Sequence, residues 1–168
     1  NIESFTPSIL HSSLLYTRLS FVKATKAKRS NDDTKQYLFI PLELANGFLP
    51  VIFNLLTNPD ISYLTAQLLG QISCYLLSFE PENQIISQIC QELPNKEVSI
   101  PCCSVIEYVF LEIEVSPPLQ SIVISTVTPL LSDDNFPIEI KSNLISVINS
   151  MILYLPNFLS TPTEAQEF

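Results

Sequence analysis

The chain has 168 residues, a net charge of −9 and an apolar fraction of 46%, enough for a sizeable core. Two glycines, thirteen scattered prolines and no dense Val/Thr/Tyr alternation argue against a β-sandwich or barrel. No apolar run approaches the length of a membrane span, and the acidic balance disfavours nucleic-acid binding over most of the surface. Charge is uneven. Residues 1–35 hold six of the eight Lys and Arg against three acids, and the remainder holds two against fourteen. An acidic body suits a basic peptide or protein partner.

Residues 7–28 are expected to form the first helix, started by Pro7, with Leu10, Leu14, Leu15, Leu19 and Val22 on its apolar side. Its basic end suits the negative pole of the helix dipole. A polar loop follows at 30–34. Pro41 places the next helix start near Ile40 or else kinks the helix, and Asn46-Gly47 is expected to end it. Residues 48–56 then read as a separate helix with Pro50 in its first turn.

Thr57-Asn58-Pro59-Asp60 is a corner, with Asp60 as the expected cap of a helix that puts Ile61, Leu64, Leu68 and Ile72 on one stripe. This hairpin has two faces to cover and requires similar neighbours. They follow at 84–93, at 97–113 with Pro101 in the first turn, at 119–131 and at 138–155. Ser116-Pro117-Pro118 reads as the stop of the 97–113 helix, and Pro129 as a kink or split. The segment 157–168 reads as a polar tail. The whole of 1–168 is taken as one domain and, without an initiator Met, as a fragment of something longer.

The pattern repeats. Ile61, Val98 and Ile140 open the three later long helices at spacings of 37 and 42 residues. Eight residues on lie Leu69, Ile106 and Ile148. Five residues on lie the small Ala66 and Cys103, but Ile145 in the third copy. With Asn46-Gly47, Leu49-Pro50, Leu55-Leu56, Thr65-Ala66 and Leu69-Gly70-Gln71-Ile72, the stretch 40–73 resembles the armadillo repeat family, with HEAT repeats close behind. The likeness extends over roughly 40–155, where the later copies match in the corner and the longer helix.

This resemblance implies an all-α, right-handed α-solenoid whose third helices line a concave face. In nuclear-import members of the family a Trp and Asn ladder on that face holds an extended basic peptide. The corresponding positions here are Gln67, Ser104 and Ser146, then Gln71, Tyr108 and Ser150. Without Trp or Asn at these places, what carries over is a polar face able to reach a partner's backbone. Tyr108 is its natural aromatic anchor, or else a core-edge residue with a wet hydroxyl.

No catalytic set or phosphate-binding loop is legible, and no cofactor or metal is expected. His11 has no nucleophile beside it. Glu112 and Glu114 diverge on a helix and read as a solvated end. Asp133-Asp134 reads as a helix-capping corner. Cys74, Cys90, Cys102 and Cys103 form no C-x-x-C pair and read as buried thiols of a reducing, intracellular compartment, cytoplasmic or nuclear. Lys23, Lys26, Lys28 and Arg29 have three readings: a solvated helix end, a patch for anionic lipid headgroups, or a short nuclear-targeting run. The expected function is a non-enzymatic protein-interaction scaffold, with a lipid-headgroup adaptor using the basic first helix as the alternative.

Overall fold

The computed structural model describes residues 7–30 and 33–153. Seven α-helices account for most of them: α1 (Pro7–Arg29), α2 (Leu42–Leu55), α3 (Ser62–Phe79), α4 (Ile85–Glu92), α5 (Ser99–Glu112), α6 (Pro117–Ser132) and α7 (Ile138–Leu153). A 3-10 turn, Asp33–Leu38, lies between α1 and α2, and no strand occurs among the described residues. The segment 157–168 lies outside them.

The long helices pack in a row: α1 on α3, α3 on α5, α5 on α7. Helices α2, α4 and α6 each pack against the long helix that follows, and α4 also meets α6. One continuous hydrophobic core runs through the set. Ile61, Val98 and Ile140 are buried, as are Leu69 and Ile106, while Ile148 is half-buried. Ala66 and Cys103 are buried as well. Their counterpart Ile145 is 50% exposed, because α7 has only α5 and α6 beside it among the described helices.

Three local expectations are corrected. Gly47 does not end a helix: α2 runs through Gly47 and Pro50 without a break. Proline there deprives the Asn46 carbonyl of its helical partner, and Asn46 is exposed, where water can take that place. Pro129 lies inside an unsplit α6 for a similar reason, since it frees only the carbonyl of exposed Ser125. Pro117 and Pro118 do not merely stop α5. They are the first two residues of α6, where their missing N–H groups cost nothing.

Nor does Asp60 cap α3. The corner is built by Asn58, whose Oδ1 accepts the Asp60 N–H at 3.1 Å. The same turn recurs before three other helices. Asn83 accepts from Ile85, Asn95 from Glu97 and Asp133 from Asn135, at 3.0, 3.2 and 2.9 Å. A short side-chain carbonyl can mimic a backbone turn two residues on, which is why Asn and Asp are favoured here.

The buried side of α1 is Leu14, Phe21, Ala24, Thr25 and Ala27, whereas Leu15 and Leu19 are exposed. Small residues at 24 and 27 leave room for close packing on α3. An aromatic cluster closes the junction of α1, α2 and α3. Phe21 meets Phe48 and Tyr75 edge-on, with centroids 6.2 and 5.5 Å apart. Phe79 meets Tyr75 and Phe39 at 5.0 and 5.5 Å. The Tyr75 hydroxyl donates to the Ile40 carbonyl at 2.6 Å and accepts the Ile40 N–H at 2.9 Å. Both backbone groups just ahead of α2 are thereby satisfied.

Tyr75→Phe keeps the ring contacts and strands both Ile40 groups, so it should destabilise the chain by about 1–3 kcal/mol in urea unfolding. An unchanged midpoint would show that water replaces the hydroxyl at no cost. The four cysteines are free and buried. Burial pushes the thiols of Cys74, Cys102 and Cys103 up to about 12 and that of Cys90 to about 11. Iodoacetamide at neutral pH should therefore label none of them in the native chain and all four in guanidinium; rapid native labelling would contradict this packing.

Candidate functional site

A groove runs over α3 between α1 and α5. Its cavity, about 250 Å³, is lined by Arg18, Val22, Thr25, Lys26 and Arg29 of α1, Gln71 and Cys74 of α3, and Tyr108 and Glu112 of α5. On α1 these residues fall at helical spacing, so one face of that helix forms a whole wall. Gln71 and Cys74, one turn apart on α3, form the floor.

Tyr108 reaches this place because Gly70 lets it. A Cβ on Gly70 would stand 2.8 Å from the Tyr108 Cδ1 and 3.3 Å from its Cγ. The ring therefore lies directly on the α3 backbone. Its hydroxyl accepts a hydrogen bond from the Gln71 Nε2. Burial, then the Glu112 carboxylate, raise the Tyr108 pKa, while the Arg18 and Arg29 guanidiniums pull it down. The phenol is thus a proton donor at neutral pH, with both guanidiniums close enough to act on it.

Arg29 bridges the groove from α1 to α5. Its Nη2 donates to the Glu112 carbonyl at 2.7 Å and its Nη1 faces the Glu112 Oε2 at 3.4 Å. Glu112 was expected at a solvated end, and the ion pair is indeed on the surface, with side chains 40% and 43% exposed. Such a pair contributes at most about 1 kcal/mol of stability, so its effect is chiefly to hold Arg29 in position. Arg18 is different. It is half-buried, and its Nε is buried with no hydrogen-bond partner among the described residues.

The expected site residues divide. Gln71 and Tyr108 meet directly, and with them Lys26 and Arg29 line one cavity. Glu107, beside Tyr108, has its pKa raised by burial, while Ser146 across the α5–α7 boundary is close enough to lower it. Ser104 and Ser150 turn their hydroxyls onto their own helices, to the Ile100 and Val147 carbonyls. Gln67 is half-buried on α3 and lines no part of the cavity. Lys23 is exposed outside it, and Lys28 lies over the Phe79 ring, 4.4 Å from its centroid. His11 is exposed. Arg18 was missed by the sequence reading. Its signal was present, since it lies eight residues before Lys26 and eleven before Arg29, on one helical stripe.

No family model, no curated protein and no solved structure matches the chain.

The contact between Gly70 and Tyr108 makes a definite prediction. Gly70→Ala should destabilise the chain by about 1–3 kcal/mol through overpacking. In a Tyr108→Ala background the same change should be neutral or stabilising by up to about 1 kcal/mol, because alanine is the better helix former. Equal effects in both backgrounds, measured by denaturant unfolding, would separate Gly70 from the ring.

Proposed function

We propose that this chain is a non-enzymatic interaction scaffold built as a right-handed α-solenoid of the armadillo/HEAT kind. It binds an extended segment of a partner protein along the face made by its long helices. The observation that carries this reading is the hydrogen bond from Gln71 to Tyr108. These residues occupy the same offset in successive repeats, ten positions after Ile61 and after Val98. Stacked repeats bring equal offsets into a row, because each repeat is a small rotation of the last. The packing of α5 on α7 continues the row of long helices. A row of amides, hydroxyls and one anchored aromatic suits a chain whose own backbone needs donors and acceptors.

The lipid-headgroup alternative asks for a flat basic patch. Lys28 is taken up by Phe79, and Lys26 and Arg29 line the groove, so the basic cluster is divided between two surfaces. This division favours a protein partner over a membrane. The reducing compartment is proposed on the same terms, from four buried thiols.

The test begins with a partner identified by affinity capture. Tyr108→Ala should weaken its binding by about 1–3 kcal/mol with folding intact, the size expected of an aromatic anchor. Gln84→Ala, an exposed change ahead of α4, should leave binding unchanged. Equal and negligible effects from both would remove the groove as the binding surface.

A further inference from the structure

We propose that the cavity over α3 is an anion subsite, which holds a carboxylate or phosphate group of the bound peptide against Arg18, Lys26 and the Tyr108 hydroxyl. It rests on the groove reading above and specifies the chemistry that the groove recognises.

Three observations converge. The first is charge. The cavity wall carries Arg18, Lys26 and Arg29 against the single carboxylate of Glu112, in a chain whose net charge is −9. Glu112 is already paired with Arg29. Arg18 and Lys26 have no ion-pair partner among the described residues. The second is the Arg18 Nε, a buried donor with no acceptor among the described residues. Leaving such a group unpaired is costly, and a guanidinium fork matches the two oxygens of a carboxylate or phosphate. The third is the Tyr108 hydroxyl. Its acceptor side is used by Gln71, and it donates to no group among the described residues, so its proton is left for an occupant. Val22 and Cys74 in the lining limit competition from water.

The net charge sets a condition on the occupant. A free anion is repelled by the acidic body at long range, but screening limits that repulsion to about 8 Å at physiological salt. A group carried on a chain already held by the groove is delivered past it. The preferred segment therefore carries one acidic or phosphorylated residue, with neutral or basic neighbours that suit the acidic surface around the cavity.

The experiment uses the full chain and two sets of probes. One is inorganic phosphate, followed by nuclear magnetic resonance at the Arg18 Nε–H and the Gln71 amide. The other is a set of extended Ala/Ser host peptides with Glu, phosphoserine, Ser or Lys at the centre. Phosphate should shift both resonances. The Glu and phosphoserine peptides should bind more tightly than the Ser and Lys peptides, and their order tells carboxylate from phosphate. Arg18→Gln should weaken acidic-peptide binding by about tenfold or more, the size of a lost charge-assisted hydrogen bond. Lys26→Gln alters an exposed side chain and gives a second reading if Arg18→Gln fails to fold. Lys141→Gln, which removes the same charge from α7, should change nothing.

If peptides bind with sensitivity to Tyr108→Ala but without regard to the central charge, the subsite is overturned and the groove stands. If phosphate binds with sensitivity to Arg18→Gln while no peptide does, the subsite stands and the extended-chain reading falls. If phosphatidylserine vesicles bind, with loss in Arg18→Gln and no preference for acidic peptides, the anion belongs to a membrane and the proposal is overturned.

Discussion

Helix α3 is buried over most of its length and circumference, and the rest of the molecule follows from that. From Leu64 to Leu77 every residue except Gln67 is buried. A helix that is apolar nearly all round must be enclosed. Helix α1 covers one side and α5 the other, α2 and α4 pack against α3 as well, and the groove lies over it between α1 and α5. Enclosure on that scale demands close approach, and the sequence meets it with small residues. Ala24 and Ala27 face inward from α1, Ala66 is buried on α3, and Gly70 receives the Tyr108 ring. The aromatic cluster around Tyr75 then ties the start of α2 to the same helix through the Ile40 backbone.

The corners make the arrangement repeatable. Asn58 and Asn95 stand three residues before Ile61 and Val98, and both form the same turn. In each, the aliphatic N–H also bonds back to the Asn carbonyl, at 3.2 and 3.1 Å. Two helix pairs thus enter the core at the same register, and side chains at equal offsets can meet. The regularity weakens at α7. Ile138, Ile145 and Ile152 fall seven residues apart and are 72%, 50% and 56% exposed, on a face that no described helix covers.

The groove inherits its charge from the order of the chain. Six of the eight cations precede residue 36, and five of those are on α1. Packing α1 onto α3 sets that helix opposite the acidic remainder, with α3 as the floor between them. Arg29 and Glu112 meet across the gap at its edge. Arg18 and Lys26 lie further along the same wall, where no carboxylate of the cavity lining is left to pair with them. An acidic protein thereby acquires a local cationic recess, two of whose three cations come from the basic end of α1.

Periodicity and punctuation settled the all-α class and the placement of most helices in advance. Apolar residues at helical spacing between prolines and Asn-rich corners specify helices wherever they occur, because each helix must hide one stripe and each corner must satisfy its own backbone. The buried stripe of α3, the burial of all four cysteines and the 37-residue spacing were legible for that reason. What stayed hidden were effects decided by solvent and by partners distant in sequence. Gly47 reads as a helix end and Pro50 as the start of the next helix until one helix runs through both, with the single carbonyl that Pro50 deprives of a partner on exposed Asn46. Asp60 reads as a cap until the turn geometry hands that place to Asn58. The cavity is the clearest case. Arg18, Gln71, Tyr108 and Glu112 are up to 94 residues apart. They come together only when α1 and α5 settle on either side of α3, at a distance that a missing side chain at Gly70 allows.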